Sequence, residues 1–209
     1  MSADARTAIL ARIRAAQRTA YIPDMKDTPR TLEPQTASVE ESLARFTKEL
    51  ELLGVASHVE ATPDAVRARV KELIAGKRVL AWDAEHLPYD VGSLAKDAIL
   101  GRDDRDTQAG AEIGLSGVHG AIAETGSLVV RSGKGTSRTV TLLPPELVAV
   151  VGREQLCFSM GELFQKQEKA MAGAACTIAI TGPSRTADIE LQLTLGVHGP
   201  GKVTVVVGP

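Results

Sequence analysis

Residues 131–138 read Arg-Ser-Gly-Lys-Gly-Thr-Ser-Arg, three cations within eight positions and no carboxylate. Gly133 and Gly135 leave backbone N–H groups open, and Ser132, Thr136 and Ser137 add hydroxyl donors. Guanidinium, ammonium and open amides in one short loop can surround an anion. Gly133, Lys134, Gly135 and Arg138 are therefore candidate ligand contacts; the plainer alternative is a solvated hairpin loop. The loop is not a P-loop, because Leu128 and Gly135 stand where that motif needs Gly and Ser/Thr. Nor is it a dinucleotide fingerprint, since Arg138 takes the third glycine position. Residues 139–143 after it look extended rather than helical.

Three other segments end an apolar run with glycine and polar residues. In residues 121–127 (Ala-Ile-Ala-Glu-Thr-Gly-Ser), Glu124 stands at a strand end before a tight turn. A carboxylate so placed is a candidate base or nucleophile, with Thr125, Gly126 and Ser127 beside it. The plainer alternative pairs Glu124 with a nearby arginine. In residues 181–190, Gly182 and Pro183 follow a strand, and Ser184 is expected to cap a short helix whose first N–H groups face an anion. Arg185, Asp188 and Glu190 complete that cluster, or form salt bridges within it. Residues 189–195 alternate in a way that fits helix or strand. His198, between Gly196 and Pro200, is the histidine best placed for acid–base work. No two histidines stand at ligand spacing, so no metal site is expected. No Gly-x-Ser-x-Gly elbow occurs, which argues against a hydrolase triad.

Positioning these loops needs strands. Short β-rich runs bounded by Gly or Pro fall at 121–123, 128–131, 140–143, 147–151, 177–181 and 203–207. Thr125-Gly126 marks a hairpin between two of them. Fifteen of the 19 glycines lie in residues 110–209, whereas 34 of the 50 charged residues lie in 1–109. The first half is accordingly expected to supply helices. Ser38-Val-Glu-Glu41 is a capping box, and Val39, Leu43, Phe46, Leu50 and Leu53 share one helical face before Gly54. Thr62-Pro63 opens a second helix running to Gly76. Residues 77–82 follow as a buried strand. Asp90 is expected to cap a third helix with Val91, Leu94, Ala95, Ala98 and Ile99, ending at Gly101. Residues 102–106 are read as a solvated loop, and residues 161–174 as a helix. Residues 1–36 form an N-terminal helix and a Pro-rich crossing at 21–35; residues 37–209 form the α/β domain. Helix and apolar strand in alternation predict a mostly parallel sheet covered by helices.

A net charge of −2 gives no general field for nucleic acid or an anionic membrane, so neither partner is expected. No apolar run is long enough to cross a bilayer. Arg6, Arg12 and Arg14 interrupt any secretory leader, and Cys157 and Cys176 read as buried thiols, so a cytoplasmic protein is expected. Without a Cys-x-x-Cys, the chain is not expected to hold an iron–sulfur cluster by itself. Aromatic residues are only 3% of the chain, which favours a small anion over a stacked base or flavin.

Taken in order, Ala-Glu-Thr-Gly-Ser (123–127), Leu-Leu-Pro-Pro (142–145), Gly-Pro-Ser-Arg-Thr-Ala-Asp-Ile-Glu (182–190) and Gly-Val-His-Gly-Pro (196–200) resemble the lactate utilization protein C family, the cluster-free type of LUD domain. The likeness is specific over residues 114–207. One departure is Val118-His119, where the family pattern has small or acidic residues. The resemblance implies an α/β fold like that of the sugar-phosphate isomerase and CoA-transferase superfamily, a three-layer α/β/α sandwich with an N-terminal helical arm. It implies a part in oxidising L-lactate to pyruvate alongside iron–sulfur partner subunits, which would hold the clusters. A self-sufficient transferase, isomerase or ligase acting on a phosphorylated or acyl metabolite is the second reading, with Glu124 as base or nucleophile and Arg138 and Arg185 gripping the anion. A scaffold docking through residues 1–20 is the third, and a homo-oligomer fits any of them.

Overall fold

The computed structural model describes residues 3–21, 34–186 and 194–209. The chain divides into two units, residues 1–33 and 34–209. In the first, α1 (Ala3–Thr19) is the described element, and its Ile9 and Ile13 are exposed. Most of the Pro-rich crossing falls outside the described residues.

The second unit is built on a six-stranded, wholly parallel sheet. Its strands are β1 (Ala56–Val59), β2 (Val79–Ala81), β3 (Ile99–Leu100), β4 (Ile113–Ser116), β7 (Glu146–Gly152) and β12 (Lys202–Gly208), in the order β1-β12-β7-β4-β2-β3. Side chains alternate between its faces. Leu147, Ala149 and Val151 of β7 and Val203, Val205 and Val207 of β12 join one core with Phe46 and Leu50 of α2 (Val39–Leu52). Val148, Val150 and Val206 point the other way, towards Val66, Val70 and Ile74 of α3 (Pro63–Ile74). Burial on both faces explains why these strands are continuous apolar runs.

Both helices start where the sequence places them. Ser38 and Glu41 form the full capping box. The Thr62 side chain accepts from the Ala65 N–H, with Pro63 in the first turn. Gly54 and Gly76 follow the two helices with φ of +73° and +72°.

A second sheet, β8-β5-β6-β9, covers the α2 side. It comprises β5 (Gly120–Ile122), β6 (Ser127–Arg131), β8 (Leu156–Cys157) and β9 (Thr177–Ile180). The expected hairpin is β5–β6, antiparallel with Ile122 opposite Ser127. Ala121, Ala123 and Leu128 face the α2 core. Ile122, Val129 and Cys157 face outward onto Leu163 of α6 (Met160–Ala172). A two-stranded ribbon pairs β10 (Arg185–Thr186) with β11 (Thr194–Leu195).

Four sequence expectations are corrected here. Asp90 caps no helix. It sits at φ +53° after Tyr89 at +55°, within the 3₁₀ segment Pro88–Leu94, and its carboxylate pairs with Arg67 at 2.6 Å. Ile99 belongs to β3 rather than to a helix. Residues 139–143 are not extended: Thr139–Leu142 forms one helical turn, α5. Ser184 opens no helix, since strand β10 follows it, and its N–H donates to the Pro200 carbonyl. The segment read as a solvated loop at 102–106 is in part helix α4 (Arg105–Ala109), capped by Asp104.

Candidate functional site

In an open parallel sheet, ligands bind beyond the carboxyl ends of the strands, at the point where successive connections leave in opposite directions. Here that point lies between β2 and β4. From β2 the chain passes through 3₁₀ turns packed on α3 and reaches β3. From β4 it enters the second sheet on the opposite face and returns to β7. Trp82 and Asp83 leave β2 at this crevice; Ser116, Gly117 and His119 leave β4.

The basic loop closes over the crevice. The Asp83 N–H donates to the Gly135 carbonyl at 2.9 Å. The Trp82 indole N–H donates to the Ser137 carbonyl at 3.2 Å. Gly135 has φ +77°, and a side chain there would stand 2.4 Å from the His86 ring. Arg102, after β3, places one guanidinium nitrogen 2.8 Å from both Asp83 oxygens. Asp83, Arg102 and residues 132–138 line a cleft of about 430 Å³. Asp83 is thus already neutralised by Arg102. Lys134 is exposed and, among the described residues, neither it nor the Arg138 side chain has an acidic partner.

His119 lies beneath this loop, tilted against Trp82 with ring centroids 5.2 Å apart. Its Nδ1 accepts the Arg131 backbone N–H at 3.0 Å, so the neutral ring carries its proton on Nε2. Burial, reinforced by the positive charge of Arg131 and by His86, lowers its pKa to about 4. The Arg131 guanidinium donates to Gln167 Oε1, and Gln167 in turn donates to the His119 carbonyl. The Ser116 hydroxyl is fully buried and has no hydrogen-bond partner among the described residues.

The state of His119 sets a pH dependence. The unfolded chain takes up this proton near pH 6.5, but the folded chain does so only near pH 4. The stabilisation is complete above about pH 6.5 and is lost as pH falls through about 4. After discounting for the half-exposed ring, the loss is about 1–2 kcal/mol. Urea midpoints should therefore fall more steeply between pH 7 and 5 in the native chain than in His119→Gln, which keeps an acceptor for the Arg131 N–H. Equal slopes would show that His119 is not the group responsible.

The remaining sequence candidates do not converge on the crevice. Glu124 lies at the turn end of the β5–β6 hairpin, whereas the basic loop follows its open end. The strand between them spans about 13 Å. The Glu124 carboxylate accepts the Met160 N–H at 2.9 Å, in the first turn of α6. Thr125 and Ser127 share a hydroxyl bond of 2.8 Å, and Ser127 bonds Thr181 at 2.7 Å. Gly126 and Gly182, with φ of +64° and +84°, pack against the last turns of α2. Arg185 donates to the Leu53 carbonyl at 2.6 Å, closing the end of α2. His198 is exposed in the loop before β12, at the amino edge of the parallel sheet, opposite the crevice. Asp188 and Glu190 lie outside the described residues. Asp83, Arg102 and His119 are the crevice residues that the motif reading passed over. Among the described residues, no group of three or more His, Cys, Asp or Glu side chains is placed to hold a metal ion, and no helix is long and apolar enough to cross a membrane.

A family model for the LUD domain matches residues 43–207. The chain is similar to lactate utilization protein C of Geobacillus sp. (strain WCH70), 31% identical over 170 residues that span 71% of this chain and 70% of the relative. The protein of that name from Bacillus subtilis (strain 168) is 29% identical over 161 residues, 69% of this chain and 67% of the relative. Among solved structures, a DUF162 family protein from Deinococcus radiodurans matches with a TM-score of 0.67 at 20% identity, over 83% of this chain and 99% of that one. At that identity the match speaks for the fold.

Proposed function

The chain belongs to the LUD-domain family, and from that premise we propose that it serves in L-lactate utilization as a cytoplasmic, cluster-free subunit that binds an anionic ligand in the β2/β4 crevice. Relatives named lactate utilization protein C support the process. The observation that carries the site is the basic loop, whose Lys134 and Arg138 have no acidic partner among the described residues and line a crevice where the Asp83 carboxylate is held by Arg102. In this reading, iron–sulfur partner subunits supply the redox centres, and the chain contributes binding and positioning.

Two measurements test it. Calorimetric titration with inorganic phosphate, L-lactate and pyruvate should show binding of at least one of these anions. Lys134→Ala with Arg138→Ala should weaken that binding about 10- to 100-fold, the scale of losing charge-assisted hydrogen bonds. Binding unaffected by the double change would refute the site. The purified chain should oxidise no lactate alone; sustained turnover without other subunits would refute the subunit role.

A further inference from the structure

The crevice does not end at the basic loop. A second cleft of about 570 Å³ opens on the far side of Asp83 and Arg102, which line both spaces. Its walls include Trp82, Leu87, Ala95, Ala98 and Leu100, with the exposed Glu85 and Lys96 at the rim. Each cleft falls within the 300–1,000 Å³ that holds a drug-sized molecule, so a three-carbon acid leaves most of the space empty. The two halves differ in chemistry. The loop half offers Lys134, Arg138 and open backbone amides, a set suited to a doubly charged, multi-oxygen anion. The second half offers an indole and aliphatic walls, suited to an uncharged carbon body. The Trp82 N–H is already bound to Ser137, so the ring contributes surface rather than a donor.

We propose that the crevice takes an organic phosphate, with its phosphate on residues 133–138 and its carbon body in the cleft walled by Trp82, Ala95 and Leu100. This deepens the anion-binding reading given above and rests on it. The Asp83–Arg102 pair forms the sill between the halves. It neutralises the carboxylate that the two halves share, and it keeps Arg102 within reach of the loop cleft.

The test compares phenyl phosphate and adenosine monophosphate with inorganic phosphate on the full chain. Calorimetry should show at least one organic phosphate binding about tenfold more tightly than inorganic phosphate. Trp82 is the chain's one tryptophan, so its emission reports on the second cleft. The tighter organic phosphate should shift that emission more than inorganic phosphate does at saturation. Narrowing the cleft with Ala95→Phe should remove the tenfold advantage and leave inorganic phosphate binding within about twofold. Ala98→Leu provides the same narrowing should the larger side chain disturb folding. If inorganic phosphate binds and neither organic phosphate binds more tightly, this proposal falls while the anion site stands. If the advantage survives both narrowing variants, the body lies elsewhere and the proposal falls. If no phosphate binds while L-lactate or pyruvate does, this proposal falls and the anion site stands; if none of these anions binds, both fall.

Discussion

Gly135→Ala is expected to destabilise the protein by about 2–4 kcal/mol and to abolish anion binding in the β2/β4 crevice. Two costs combine at this position. The backbone sits at φ +77°, which an L side chain adopts at a penalty. The added methyl would also stand 2.4 Å from His86 Cδ2, 2.7 Å from its Nε2 and 3.2 Å from the Asp83 Cβ. The partly exposed His86 ring can swing aside, but the Asp83 Cβ is fixed by its backbone bonds to Gly135 and His86. With φ +77° strained and the Asp83 Cβ 3.2 Å away, the loop is expected to shift, weakening the bond from the Asp83 N–H to the Gly135 carbonyl and displacing Lys134. Gly133→Ala is the milder comparison within the loop, since it has no positive φ and its methyl meets only the Thr136 hydroxyl, at 2.9 Å. Urea denaturation and phosphate titration on both variants check the pair. Equal stability and equal binding would show that residues 133–135 close no site.

Gly114→Ala is the second large effect, about 3 kcal/mol. The position lies within β4, where a Cβ would fall 2.1 Å from the Val140 carbonyl oxygen. The obstacle is main chain, so no rotamer change relieves it. Either α5 moves off the sheet or β4 shifts against β7. Arg138 immediately precedes α5, so the loop's anion contacts should weaken together with stability. Gly173→Ala, where the nearest atom is 3.5 Å away and φ is negative, should be near neutral. Thermal midpoints of the two variants decide the matter: equal values would show that α5 does not depend on close approach to β4.

Local rules made much of the scaffold readable. The capping box at Ser38, the Thr62-Pro63 start and the turn at Thr125-Gly126 each depend on residues within a few positions of one another. The misread pieces depend on distant partners. Residues 139–142 (Thr-Val-Thr-Leu) have a strand-forming composition, yet one helical turn forms because it packs on Gly114. Asp90 resembles a cap, yet Arg67 of α3 takes its carboxylate. The second sheet was legible only as one hairpin, since β8 joins it from beyond β7.

The site follows the same division. The basic loop declares itself in eight consecutive residues. Its surroundings come from the ends of β2, β3 and β4, which only the sheet order brings together. Glu124 shows the opposite case. Its strand-end position suggests chemistry, but its partner is an α6 amide 36 positions away.

The sheet order also bears on how the chain is assembled. β12 lies between β1 and β7, pairing Ala56 with Thr204 and Thr204 with Val148. Until β12 has been synthesised, β1 has no neighbour among the described strands and the α2 core lacks Val203, Val205 and Val207. The nascent chain therefore emerges with open strand edges and an incomplete apolar layer, the state in which non-local sheets fold slowly and aggregate. Chains truncated before β12 are thus expected to aggregate more readily than the full chain.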